Sequence, residues 1–203
     1  MAARARGFLS DGPHRLRFFM RVISGTAKGR KLKSVPGTST RPITDRVKVA
    51  LFDILGGDVE GAAVLDLFAG TGGVGIEALS RGARRSVFVD LDPRSVRTIR
   101  ENLATTRLAD RAEVIRSDSF RYLERKSHEA FDLIYIAPPQ YQGIWIRALE
   151  RFDRGGDWLA SDGMAIVQID PKEIRDIHLS RLREFDRRRY GNTLLWFFEQ
   201  PGT

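Results

Sequence analysis

The residues best placed to do chemistry lie in Val64-Leu65-Asp66-Leu67-Phe68-Ala69-Gly70-Thr71-Gly72-Gly73-Val74-Gly75. An apolar run from Ala62 to Leu67 reads as a buried strand; it breaks at Gly70 and Gly72 and resumes as a helix carrying Val74, Ala78 and Leu79. Glycines between a strand and a helix let the backbone turn through positive φ close to a ligand, and the helix start offers free N–H groups. The spacing of Gly70, Gly72 and Gly75 fits the G-x-G-x-x-G of dinucleotide sites. Asp66, four residues ahead of Gly70, tips the reading towards S-adenosylmethionine, whose ammonium group seeks a carboxylate. Three further strand ends carry marked residues. Asp90, twenty residues past Gly70, is placed to accept from ribose hydroxyls, and Asp118 from an adenine amino group or from the amides of a short helix that it caps. Ala137-Pro138-Pro139 forms a rigid turn whose carbonyls face outward, suited to holding an exocyclic amine by its N–H groups, with Tyr141 and Trp145 in reach to stack on a base. His14, His128 and His178 lie in unlike contexts and cysteine is absent, so neither a metal site nor a catalytic triad is expected.

The elements that must position these residues follow from periodicity. Residues 1–19 show no period and read as a tail outside the fold. Arg21 to Gly25 and Gly29 to Val35 read as two strands of a hairpin. Thr44 caps a helix from Asp45, with Val47, Ala50, Leu51, Ile54 and Leu55 on one face and Gly56-Gly57 at its end. Further strands are expected at Ser86–Asp90, Ala112–Ser117, Phe131–Ile136 and Gly163–Ile169. Helices come between them, one opened by Asp92 before Pro93. Glu184–Tyr190 and Thr193–Glu199 flank Gly191-Asn192 as a closing hairpin. Strands alternating with helices make a Rossmann-like, doubly wound α/β sheet, and the closing hairpin adds an antiparallel strand. The chain therefore divides into a tail (1–19), a basic β-hairpin extension (20–43) and an α/β domain (44–203).

Composition sets the partner class. The 203 residues carry a net charge of +8, with no apolar run of the roughly 18 residues needed to cross a membrane. Residues 1–48 hold twelve Lys/Arg against Asp11 and Asp45, while the remaining chain holds slightly more acids than bases. Such segregation favours a polyanion, with Arg21, Lys28, Arg30, Lys31, Arg41, Arg46 and Lys48 as phosphate contacts. A cytoplasmic monomer that uses neither a membrane nor a metal is expected.

From Met20 onward the chain resembles the guanine-N2 methyltransferases of bacterial small-subunit ribosomal RNA. The resemblance lies in Arg21-Val22-Ile23-Ser24-Gly25, Gly29-Arg30-Lys31-Leu32, Arg41-Pro42-Ile43-Thr44-Asp45-Arg46-Val47-Lys48, Leu65 to Gly72, and Glu77-Ala78-Leu79-Ser80-Arg81-Gly82-Ala83. It implies a seven-stranded Rossmann-like methyltransferase fold with S-adenosylmethionine held by Asp66, Phe68, Gly70, Gly72, Asp90 and Asp118. Its expected partner is small-subunit ribosomal RNA or its particle, held by the basic hairpin. It implies a target amine oriented by Ala137-Pro138-Pro139 under Tyr141. That family carries Asp-Pro-Pro followed by an aromatic residue; here Ala137 takes the acid's place, Gln140 the aromatic's, and Tyr141 follows one residue later. Methylation of adenine N6 or cytosine N4, and RNA binding without catalysis, are the neighbouring readings.

Overall fold

The computed structural model describes residues 20–37, 43–125, 129–155 and 158–200. Residues 1–19 and Arg41 lie outside the described residues, as do His14 and His128.

Two short strands, β1 (Met20–Arg21) and β2 (Lys31–Leu32), pair antiparallel. The sequence predicts longer hairpin strands, but the backbone donors of Ile23, Ser24, Thr26 and Ala27 go elsewhere. Ile23 and Ser24 donate to the Glu77 carboxylate, Thr26 to the Ser80 carbonyl and Ala27 to Ser80 Oγ. The segment is thus spent on docking to a helix instead of on a ladder. Helix α1 (Asp45–Leu55) follows, with Thr44 Oγ1 accepting from Val47 N, a cap worth about 1 kcal/mol.

The main sheet alternates with helices: β3 (Ala63–Asp66), α2 (Gly73–Ser80), β4 (Arg85–Asp90), α3 (Pro93–Thr106), β5 (Ala112–Arg116), α4 (Ser119–Leu123), β6 (Phe131–Ile136), α5 (Ile144–Asp153), β7 (Leu159–Ile169), β8 (Arg183–Tyr190) and β9 (Thr193–Glu199). Strand β7 begins four residues before the predicted Gly163, with an irregularity in its pairing to β6. The spatial order is β5-β4-β3-β6-β7-β9-β8. Strands β3 to β7 are parallel, and β9 runs antiparallel to both β7 and β8. This is the Rossmann-like doubly wound sheet with its terminal antiparallel strand.

Alternation along the strands builds two core layers. Val64, Phe88, Leu133, Tyr135 and Ile166 face one layer with the apolar sides of α1, α2 and α3 and with Met20, Val22, Ala27 and Leu32 of the hairpin. Ala63, Leu65, Ile134, Ile136, Ala165 and Val167 face the other, against α5 and the rings of Trp145, Trp158 and Trp196. Trp145 is therefore a core residue, fully buried with its ring 5.5 Å from that of Trp196, and takes no part in base stacking. The chain order reverses between β3 and β6, so a crevice opens at the carboxyl ends of these strands.

Candidate active site

A cavity of about 880 Å³ occupies that crevice, a volume within the range of small-molecule sites. Asp66, Phe68, Gly70, Asp90 and Asp118 line one part of it, and Ala137, Pro138 and Pro139 another. The fold thus brings both groups of strand-end residues into one hollow. A second hollow of about 660 Å³ under residues 174–187 holds none of these strand-end carboxylates.

Asp66 ends β3 and is buried. Its Oδ2 accepts from Gly75 N at 3.2 Å, in the first turn of α2, which gives that helix start the acceptor that its N-cap Gly72 lacks. Burial pushes the Asp66 carboxyl up to about 8; the Gly75 N–H opposes this, and the nearby Asp90 charge adds to it. Such a group is short of a cation. Gly70 and Gly72 both take positive φ (54° and 75°), the conformation that the sharp strand-to-helix turn requires. Gly75 has another role: a Cβ there would stand 2.4 Å from the Phe88 ring, so its absence lets α2 lie close on the sheet.

Asp90 ends β4 and fixes the glycine turn: Oδ2 accepts from Gly70 N and Oδ1 from Asp92 N, both at 2.8 Å. Burial raises its pKa against these bonds. Asp92 caps α3, accepting from Arg94 N and pairing with the Arg94 guanidinium. Asp118 also caps a helix, its Oδ1 accepting from Phe120 N and Arg121 N at 3.0 Å, while the residue still lines the cavity.

The turn after β6 is held from the segment that follows β7. Tyr141, with φ 63°, donates its N–H to Glu173 Oε2 at 2.7 Å and its hydroxyl to Asp170 Oδ2 at 2.9 Å. Its ring is exposed and is not part of the cavity lining, which takes Gln140 and Gln142 from this turn instead. Asp170 in turn caps the short 3₁₀ turn Pro171–Glu173 through a capping box.

Among the basic residues, Arg21, Lys28, Lys31 and Arg46 are exposed, and Arg30 is half-buried with its guanidinium donating to the Thr105 carbonyl. Arg21 also pairs with Asp45 at 3.0 Å. Lys48 requires correction. It is 2% exposed, its Nζ donates to the Arg21 carbonyl and lies 3.4 Å from Glu77 Oε2, and no phosphate can reach it. Burial lowers its pKa, and the Glu77 charge opposes that shift. Lys48 shares a helix face with Leu51, Phe52 and Leu55, a spacing that signals burial.

Two residues missed in the sequence matter here. Glu77 gathers donors from Ile23, Ser24, Lys48 and Arg81. Asn102, fully buried on α3, accepts from Lys33 N and donates to the Lys33 and Thr71 carbonyls, joining the hairpin to the glycine turn.

The fold and the cavity define a Rossmann-like methyltransferase scaffold. The chain belongs to the family described as "Conserved hypothetical protein 95", whose model matches residues 20–199. It is 40% identical over 190 residues to the Bacillus subtilis protein named "Putative rRNA methyltransferase YlbH", covering 90% of this chain and 100% of that one. It is 33% identical over 149 residues to Ribosomal RNA small subunit methyltransferase D of Escherichia coli K12, covering 73% and 74%. The solved structure titled "Putative methyltransferase yhhF from Escherichia coli" superposes with a TM-score of 0.80 at 27% identity, over 91% of this chain and 99% of that one.

Proposed function

We propose that this protein methylates the exocyclic 2-amino group of a guanine in small-subunit ribosomal RNA, as a cytoplasmic monomer. The observation that carries this reading is the single cavity joining Asp66 and Asp90 to Pro138-Pro139. The names of the relatives support the RNA substrate. The donor set fits S-adenosylmethionine: a buried carboxylate short of a cation, a second strand-end carboxylate and a glycine turn in a hollow large enough for a small-molecule cofactor. When bound, S-adenosylmethionine supplies an electrophilic methyl group on a sulfonium. Asp66 would take the ammonium, Gly70 would admit the methionine end while Gly72, which faces Ile76 and Ile99 and is not part of the cavity lining, supplies the turn, Phe68 would pack beside it, Asp90 would accept from the ribose and Asp118 from the adenine. Ala137, Pro138 and Pro139 set the direction from which the amine enters, and Tyr141 stands at the rim beside the incoming base. The hairpin of residues 20–43 is the RNA-binding extension of the domain at 44–203. Within it Arg21, Lys28, Arg30, Lys31 and Arg41 contact phosphates, joined by Arg46 on α1.

Incubation with labelled S-adenosylmethionine and naked small-subunit RNA, a partly assembled particle or the whole subunit, followed by nucleoside digestion, tests the reading. Label in N2-methylguanosine is expected. Label in N6-methyladenosine or N4-methylcytidine would overturn the base assignment, and label in none of the three substrates would leave an RNA-binding protein without transferase activity.

The electrostatics of Asp66 give a second expectation. Its carboxyl is raised, so between the unfolded value near 4 and about 8 the folded chain holds a proton that the unfolded chain releases. Stability without cofactor therefore falls as pH rises through that window. A bound ammonium reverses the balance: near pH 7 binding should release close to one proton. Affinity should rise about tenfold per unit from about pH 6 to 7.5. Titration calorimetry in buffers of different ionisation enthalpy reads this directly; binding without proton release would show an Asp66 already ionised.

A further inference from the structure

Ala137, which ends in a methyl group, and Pro138 and Pro139, which have no N–H, offer no side chain that could hold an amine, and the amides of Gln140 and Gln142 from the same turn line the cavity from exposed positions. On the adjoining strand, however, stands a polar residue in an apolar run, Ala165-Ile166-Val167-Gln168-Ile169. The parallel register pairs Tyr135 with Ile166 and Ile136 with Val167, and its next step sets Ala137 beside Gln168. Side chains alternate along a strand, so Tyr135, Ala137, Ile166 and Gln168 share one face, and Asp66, paired with Tyr135 across β3 and β6, shares it too. Asp66, Tyr135, Ala137 and Gln168 all line the cavity. Neighbouring strands lie about 4.8 Å apart, so the short Ala137 side chain leaves open the space that Gln168 faces.

The amide is already oriented. Tyr135 Oη donates to Gln168 Oε1 at 2.5 Å. Burial holds the Tyr135 phenol well above its usual pKa, so it remains a donor. One lone pair of Oε1 is thereby occupied; the second, with the Nε2 amino group, is left for a ligand.

We infer that Gln168 is the substrate-binding residue that holds the target amine, in the position that a carboxylate at residue 137 would otherwise serve, with Tyr135 as its positioning residue. An amide presents an acceptor and a donor side by side. It therefore fits an amine flanked by an unprotonated ring nitrogen, which in guanine is the N2 and N3 pair. A carboxylate presents two acceptors and fits N2–H with N1–H instead. No acid–base step is assigned to Gln168: its second lone pair would accept one amine N–H and turn the nitrogen lone pair towards the methyl group, and as the N–C bond replaced the sulfonium C–S bond, leaving a neutral thioether, the proton given up by the nitrogen would pass to solvent.

This inference rests on the methyl-transfer reading above, and the test separates the two. Single-turnover transfer is measured on the RNA or particle that the wild type accepts, alongside cofactor affinity and thermal melting. A wild type that binds cofactor but methylates nothing overturns the function, not only the role of Gln168. With an active wild type, Gln168→Leu should slow transfer about 10–100-fold, the worth of one strong hydrogen bond, with cofactor affinity within about twofold. Adding Ala137→Asp to that variant should recover at least about tenfold, a rescue that a merely structural role would not show. Gln168→Glu should keep transfer while its carboxyl is protonated and presents the same acceptor and donor, and should slow as that carboxyl ionises against the unprotonated ring nitrogen, an added alkaline limb in the pH profile that decides the matter if Gln168→Leu does not fold. Transfer by Gln168→Leu within about threefold of wild type, or a folded double variant as slow as the single one, would overturn the assignment. So would a pH profile for Gln168→Glu that matches wild type.

Discussion

Replacing Glu77 by leucine is expected to destabilise the protein by about 3–5 kcal/mol, the cost of breaking a buried ion pair from one side. Glu77 is fully buried, and its two oxygens accept from Ile23 N at 2.7 Å, Ser24 N at 2.9 Å and Arg81 Nε at 2.9 Å, with Lys48 Nζ at 3.4 Å. Leucine would leave the Lys48 ammonium inside the protein with the Arg21 carbonyl but without its counter-charge, and two amides without their acceptor. For a domain of this size the loss corresponds to a drop in melting temperature of roughly 6–20 °C. Glu77→Leu with Lys48→Met removes both charges and should regain part of the loss, although the Ile23 and Ser24 amides stay unpaired. Urea unfolding of both variants measures the difference. A Glu77→Leu protein as stable as wild type would show that the hairpin is held by its apolar residues alone.

Gly25→Ala should undock the same segment by a different route. Gly25 takes φ 78°, and a Cβ built on it would lie 1.8 Å from the Ser80 carbonyl oxygen. Strain of about 1–2 kcal/mol from the left-handed backbone adds to about 1–3 kcal/mol from overpacking. The contacts at risk are Thr26 N to Ser80 O at 2.8 Å, Ala27 N to Ser80 Oγ at 2.9 Å and Ser80 Oγ to Ser24 O at 2.6 Å. Amide hydrogen exchange should then show lost protection at Ser24, Thr26 and Ala27 with β3 and β6 unaffected, and weaker RNA binding with cofactor affinity preserved. Unchanged protection at these amides would rule out the close approach.

Both variants act on the joint between the basic extension and the cavity. Glu77 and Ser80 hold residues 23–27 against α2, whose first turn meets Asp66. Asn102 ties Lys33 to the carbonyl of Thr71 beside the glycine turn. Cations on the hairpin are thereby fixed relative to the mouth of the cavity. An RNA held by them would meet the Pro-Pro turn without first having to order a loose arm.

The amino-acid sequence by itself determined what depends on near neighbours along the chain. Apolar runs and turn residues fix where strands end, so Asp66, Asp90 and Asp118 are legible as strand-end carboxylates. Thr44 and Asp92 are legible as caps because a cap is a relation across two or three residues. Gly70 and Gly72 are legible because a sharp turn from strand to helix demands positive φ. Tertiary structure alone decided the partners that lie far along the chain. Lys48 reads as a solvated phosphate ligand until Glu77 arrives from the next helix and draws it inside. Trp145 reads equally well as a base-stacking ring or as core, and only the layer formed by β9 settles it. Ile23 and Ser24 have the pattern of a strand, yet their amides find better acceptors on α2. Gln168 becomes a neighbour of Ala137 only when a crossover through α5 returns β7 beside β6, because register between parallel strands is set by packing of the whole sheet and not by any local residue.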